Sequence, residues 1–506
     1  MTLFSARPAR WPALLLFAAL AITCAGPVSR PGVVIAVEAF PSAMDPRLGT
    51  DLASDRLFAL IHRGLFKVNE KLEPEPDLAE YCEQLSPLEY RVGLKKGLRF
   101  SDGRPFTSAD AVYSIRSIIA EGSGSPKRGE LSVISSVNAT GEAGFDIVLK
   151  APSAALLTLL NFGILQEGTG FAADISPPGL GSFRIASMKR GQEIVLEPNP
   201  HADKAPEARR VVLKVIEDPV LRSLELKRGS VDLVVNDLPP DSVFRFEREG
   251  FSVSRFPGTN YSYIGINCRR APLGNPRVRK ALAMAIDRRA ILKNIMRGYG
   301  REATGMLSPE NWAYFRTEVP PFDPRAAGNL LDAEGVIRNG EGVRLRLSYK
   351  TSMNKISRFV AEAIAENLRP LGIVLEIQSL EWGTFYSDVK KGNFDLFSLN
   401  WIGIKDPDAY RLRFDSSAIP PAGFNRGGYA NTSLDSLLRE GAAEMDREKR
   451  KRIYAEVQKT VSEECPYISL WWPDIVAVSS PRVEPFTIPP DGDFSFVSGL
   501  KIKGHS

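Results

Sequence analysis

Side chains able to do chemistry are few in this chain and poorly spaced for catalysis. Only His62, His201 and His505 offer imidazoles, and they lie far apart. The sequence holds no HExxH pair, no G-x-S-x-G turn, no Walker loop and no GxGxxG after a strand. A serine triad and a histidine-held metal therefore lack support. Carboxylates are plentiful, so a two-acid exported hydrolase is the one enzyme chemistry the composition leaves open. Cys24, Cys82, Cys268 and Cys465 show no CxxC spacing. In an oxidising compartment Cys268 with Cys465 is the first pair to test. What remains is recognition chemistry. Asn260-Tyr261-Ser262-Tyr263 gathers amide, hydroxyl and ring groups, and Trp401-Ile402-Gly403 ends an apolar run with a large ring before a flexible turn. Such groups hold a solute by stacking and hydrogen bonding.

The elements that would carry these residues read as repeated strand–helix units. Val343, Leu345, Leu347 and Tyr349 alternate with polar residues, which predicts a half-buried strand. Ile356, Phe359, Val360, Ala363, Ile364 and Leu368 then share one helical face, stopped by Pro370 and Gly372. A strand over 373–377, a helix over 384–391 ending at Gly392, and a strand over 394–401 follow. This order predicts a doubly wound parallel sheet, which presents ligands beyond its strand C-termini, where Trp401 stands. Further strands are expected over 33–37, 90–94, 194–197, 211–216 and 231–235. Thr107 with Asp110 forms a capping-box signature. Asn275-Pro276 and Asp323-Pro324 place a capping side chain before a proline, and the first should open a long helix through Ile286.

With 506 residues the chain exceeds one ordinary core, so substructures of roughly 100–200 residues each are expected. Its formal net charge of +5 is spread over 65 basic and 60 acidic residues, too balanced for a nucleic-acid binder. Arg7 and Arg10 precede an apolar run from Trp11 to Ile22, the layout of a secretory signal over residues 1–23. Cys24 follows Leu20-Ala21-Ile22-Thr23, which is similar to a bacterial lipobox with Thr23 in place of the usual small residue. Lipidation of Cys24 would tether the chain without making it integral.

Taken in order, several segments resemble the bacterial extracytoplasmic solute-binding proteins of family 5, the peptide and nickel class. The strongest is residues 90–112, with Phe100-Ser101-Asp102-Gly103-Arg104-Pro105-Phe106-Thr107-Ser108-Ala109-Asp110 at its centre. Residues 72–80, Gly179-Leu180-Gly181-Ser182-Phe183, residues 263–267, residues 275–288, residues 322–327 and Glu381-Trp382-Gly383-Thr384-Phe385 agree as well. The resemblance implies an α/β, periplasmic binding protein-like two-lobe fold of class II type with an extra inserted subdomain. Lobe I would take residues 24–53, 180–256 and 478–506, the inserted subdomain 54–179, and lobe II 257–477. The chain would cross between lobes near 256–259 and 477–480, and Pro257-Gly258 suits a hinge.

By the same resemblance, the chain is the solute-binding subunit of an ABC importer, a monomer in the periplasm or cell envelope, using no cofactor and binding no nucleic acid. It would capture a peptide or other small solute and deliver it to a membrane permease. A non-peptide solute, such as a metal chelate or sugar, and a sensor receptor are the alternatives. The ligand-lining positions implied are Asn260, Tyr261, Trp401, Gly403, Ile404, Asp406 and Asn425. Peptide binders of this family carry an aspartate three residues beyond the tryptophan to meet the peptide amine, and here that position is Ile404. Asp406 and Asp408 stand close by, either as substitutes or as turn chemistry around Pro407. The expectation is a ligand that lacks a free α-amine or presents it elsewhere.

Overall fold

The computed structural model describes residues 32–503. The expected signal, Cys24 and His505 lie outside the described residues.

Three main sheets organise the chain, each over its own apolar core. The first has seven strands in the order Ser252–Phe256, Ile475–Ser479, Leu233–Val235, Val33–Val37, Val211–Val215, Glu193–Pro198 and Phe183–Lys189. The second has six, in the order Gly300–Glu302, Tyr467–Pro473, Tyr261–Ile266, Leu396–Trp401, Leu345–Ser352 and Ile373–Leu380. The third is an antiparallel sheet of four, Ala79–Ser86, Glu89–Leu94, Gly144–Leu149 and Ile134–Gly141. Its core begins at Leu65. The preceding helix Leu52–Ile61 instead buries Leu57, Leu60 and Ile61 beneath the seven-stranded sheet.

Local chemistry explains most of these elements. Leu345–Ser352 and Ile373–Leu380 pair in parallel from Leu345↔Ile373 to Ser352↔Leu380. The helix between them, Lys355–Leu368, buries Val360, Ala361, Ile364 and Leu368, whereas Phe359 turns outward. Leu396–Trp401 also runs parallel to Leu345–Ser352, but pairs antiparallel with Tyr261–Ile266 on its other side, so the sheet is mixed. Asp110 Oδ2 accepts from Thr107 N at 2.8 Å, completing the expected cap of Ser108–Ile119. The helix opened by Asn275 is shorter than its pattern suggests and stops at Met284. Asp287 accepts from Ala290 N at 2.9 Å and starts a separate helix, Arg288–Asn294.

Between the two larger sheets the chain passes twice, over residues 257–260 and at Asp474. The second passage precedes the expected 477–480, because Ile475–Ser479 already pairs with Leu233–Val235 and Ser252–Phe256. Cys268 and Cys465 are free thiols rather than the expected pair, and Cys82 is free as well. Cys268 Sγ turns to Ile266 O at 3.6 Å and Cys465 Sγ to Tyr467 O at 3.5 Å.

Candidate functional site

A cavity of about 380 Å³ lies where the units built on the two larger sheets meet the inserted one. Its walls come from segments 46–77, 127–163, 402–405 and 489–495, so the fold rather than any motif assembles it.

The helix Leu52–Ile61 supplies one wall. Asp51 caps it by accepting from Ser54 N at 3.0 Å. Successive residues on this helix then have opposite fates. Arg56 turns inward, pairs with Asp237 Oδ2 at 2.6 Å, donates to Val235 O at 2.8 Å and lies over the Phe494 ring at 4.8 Å. Asp55 turns into the cavity, where its carboxylate has no hydrogen-bond or ion-pair partner among the described residues. Water reaches Asp55, yet the surrounding protein desolvates it. That pushes its carboxyl above the usual range, while Lys127 and Lys405 pull it down.

Lys405 belongs to the loop after Leu396–Trp401, and Asp491 to the C-terminal segment. Lys405 Nζ meets Asp491 Oδ2 at 3.1 Å, so an ion pair joins walls borne by different sheets. The pair holds Lys405 charged, since Asp491, Asp493 and Asp55 together outweigh the burial that disfavours its ammonium. His62 is a third feature of the cavity. It is 4% exposed, and neither ring nitrogen has a partner. Burial drives its pKa down to about 4, against a smaller opposing pull from Asp45, so the ring is neutral at pH 7. A Cβ on Gly163 would stand 2.7 Å from His62 Cβ, so only glycine there lets the ring keep this place. Arg63 is committed to Asp77 at 2.6 Å and to Asp203 at 3.1 Å.

The residues singled out from sequence are dispersed. Asn260 Oδ1 accepts from Gly403 N at 2.8 Å, which brings these two together and fixes the loop that carries Ile402 and Lys405. Gly403 lies on the cavity wall, in the left-handed region at φ 57°. Tyr261 is buried in its sheet, its hydroxyl 2.6 Å from Ser469 Oγ, and does not reach the cavity. Trp401 is half-buried and stacks on Tyr263 with ring centroids 6.0 Å apart. Ile404 is 4% exposed and packs into an apolar cluster away from the cavity. Asp406 is a structural acid: it accepts from both terminal nitrogens of Arg450, at 2.6 and 3.0 Å, and from Asp408 N at 2.8 Å. Asp408 is held by Arg411 and by the Tyr454 hydroxyl. Asn425 is buried and donates to Asp415 O at 3.0 Å and Tyr429 O at 2.7 Å, so it shapes a turn. Asp55, Lys405 and Asp491 went unnoticed in the sequence, and His62 stood out there only as one of three scattered imidazoles.

Among the described residues, no three His, Cys, Asp or Glu side chains group to hold a metal ion. No described helix is long and apolar enough to cross a membrane. The arrangement offers binding groups of both charges, which fits holding a polar solute.

Comparison with known proteins agrees with this picture. Residues 73–420 match the model for "Bacterial extracellular solute-binding proteins, family 5 Middle". The chain is 26% identical over 460 residues to the probable di/tripeptide-binding protein 5 of Pseudomonas aeruginosa, covering 84% of this chain and 86% of that one. The solved oligopeptide-binding protein AppA from Bacillus subtilis, in complex with a nonapeptide, superposes with a TM-score of 0.80 at 25% identity. That likeness covers 94% of this chain and 100% of AppA. NikZ from Campylobacter jejuni, in complex with Ni(L-His), shares the fold with a TM-score of 0.82 at 24% identity, covering 93% of this chain and 99% of that one.

Proposed function

Because the chain belongs to family 5 of the bacterial extracellular solute-binding proteins, we propose that it works outside the cytoplasm as the capture subunit of an ABC importer. Its solute is a peptide or peptide-like molecule, held in the cavity between the units and passed to a membrane permease. The family consists of binding proteins rather than enzymes, so the solute leaves chemically unchanged. The reading that the units on the two larger sheets move as lobes about residues 257–260 and Asp474 belongs to the same proposal.

The observation that carries it is the unpaired Asp55 carboxylate in a cavity whose walls are joined by Lys405 and Asp491. A carboxylate in a partly desolvated cleft favours a cation on the ligand. The solute's ammonium therefore meets Asp55 on the first wall instead of position 404, where Ile404 is turned into the core. Contacts made to both walls at once favour closure over opening. A micromolar affinity needs only about 8 kcal/mol net.

Calorimetry with matched free and N-acetylated di- to pentapeptides tests this. Free-amine peptides should bind, with N-acetylation weakening them at least tenfold. Equal binding of both sets would remove Asp55 as the cation site, and no binding by either would remove the peptide class.

A further inference from the structure

One turn of the unit on the six-stranded sheet is received by three separate segments of the inserted unit. The turn, residues 444–446, joins the helices Thr432–Ala443 and Arg447–Glu464. Ala442 O, in the last turn of the first helix, accepts from Ala154 N at 3.0 Å. Such a carbonyl has no partner within its own helix, so the inserted unit supplies one. Met445 Sδ accepts at 3.8 Å from the hydroxyl of Tyr90, on the strand Glu89–Leu94. Arg447, the first residue of the second helix, pairs with Glu73, their side chains 57% and 27% exposed. Each partner is also held from its own side. Asn69 Nδ2 donates to Glu73 Oε2 at 3.3 Å, and Arg447 lies over the Trp312 ring at 5.4 Å.

An exposed ion pair alone is weak. Here a backbone bond, a hydroxyl–thioether bond and an ion pair converge on residues 442–447 from positions 154, 90 and 73. No stretch of chain joins these two units directly. The chain enters the six-stranded unit through 257–260 and leaves it at Asp474, in both cases next to the seven-stranded one. Rotation of that unit about these passages therefore parts the turn from the inserted unit. Inside the cavity, Lys405 with Asp491 at 3.1 Å bridges the same gap. All of these contacts are made by the chain's own groups on both sides. A contact made in one arrangement and lost in another shifts the population toward the first.

We propose that residues 442–447 and their receivers at Glu73, Tyr90 and Ala154 form a latch that holds the cavity walls at their binding separation before a solute arrives. This rests on the reading that the units on the two larger sheets move as lobes, and it adds what sets their resting position. The competent arrangement is then the populated one, so its rarity does not weaken apparent affinity.

Amide exchange of the full chain without solute, resolved to single residues by fragmentation mass spectrometry, tests this together with small-angle X-ray scattering. The Ala154 amide reports the latch, and the strand Gly144–Leu149 reports the inserted unit's own fold. In the wild type Ala154 should exchange slowly, as a bonded amide does, and the scattering should match the latched arrangement. Glu73→Arg and Arg447→Glu each set like charges face to face. Each should speed Ala154 about fivefold and enlarge the radius of gyration, with Gly144–Leu149 unchanged. Glu73→Arg combined with Arg447→Glu restores opposite charges and should return both readings toward wild type. A role confined to one side, through the Asn69 bond or the Trp312 stack, predicts no such return. Where a reversal also speeds Gly144–Leu149, Glu73→Gln with Arg447→Gln removes the pair without repulsion and should speed Ala154 about twofold. A wild-type Ala154 that exchanges like a free amide overturns the inference. Single reversals, or the neutral pair in their place, that change nothing overturn it too, as does a double reversal that behaves like the singles. The assay contains no solute, so failed peptide calorimetry leaves the latch standing, and a latch that fails here leaves the peptide reading standing.

Discussion

Asp406 separates two roles that the sequence left open, and Asp406→Ala decides between them. In the structure its carboxylate and the Arg450 guanidinium are 13% and 5% exposed and are joined at 2.6 Å. Burial disfavours the Arg450 charge, and Asp406 more than reverses that. Removing the acid leaves a buried guanidinium whose other recorded hydrogen bond runs from Nε to Gly441 O, at 3.0 Å. Breaking one side of such a pair costs about 3–5 kcal/mol. A cooperative unit of roughly 150–250 residues loses about 2–4 °C for each kcal/mol, so Tm should fall by about 6–20 °C. Arg450→Met added to Asp406→Ala should recover most of the loss, because replacing both charges leaves nothing uncompensated. Solute affinity, measured by calorimetry well below the lowered Tm, should stay within about twofold of wild type. A Tm within about 2 °C of wild type together with a tenfold loss of affinity would refute the structural assignment and return Asp406 to the ligand site.

Three more outcomes are expected. Asp55→Asn should weaken a free-amine solute by about tenfold to a hundredfold in calorimetry, the range for a hydrogen bond to a charged group, with Tm little changed. His62, whose folded pKa of about 4 lies below its ordinary 6.5, contributes stability that is present above pH 6.5. The unfolded chain takes up that proton first on acidification, so about 3 kcal/mol is lost from pH 6.5 to 4. His62→Phe should flatten that part of a denaturation-against-pH profile, and an unchanged slope would contradict it. Burial pushes the thiols of Cys82 to about 11 and Cys465 to about 12, with Cys268 raised as well. Iodoacetamide at pH 7.5 should therefore label these positions slowly in the native chain and fast in urea, read by peptide mass mapping.

The fold was far more legible in the sequence than the site. Capping at Thr107, Asn275 and Asp323 acts within one helical turn, so the residues that form it are neighbours in the text. The alternation ending at Tyr349 and the stop at Gly372 are equally local. Where the pattern misled, a neighbour intervened: Asp287 started a new helix, and Ile475–Ser479 found strand partners more than two hundred residues upstream. The site depends on such distant meetings throughout. Asp55 and Asp491 share a cavity only because the first and last parts of the chain share one sheet. Asp406 looked available because Arg450 lies forty-four positions away. Ile404 stood out as a residue unable to compensate an ammonium, and in the structure its side chain is turned away from the cavity into the core.

The central claim is that one solute is held by walls on different sheets. Hydrogen exchange, read by mass spectrometry with and without the tightest-binding peptide, tests it most directly. The account predicts slower exchange over residues 52–63, 402–405 and 489–495 together, at one ligand concentration and with one midpoint. Protection confined to a single unit, or spread over surfaces outside the cavity, would contradict it.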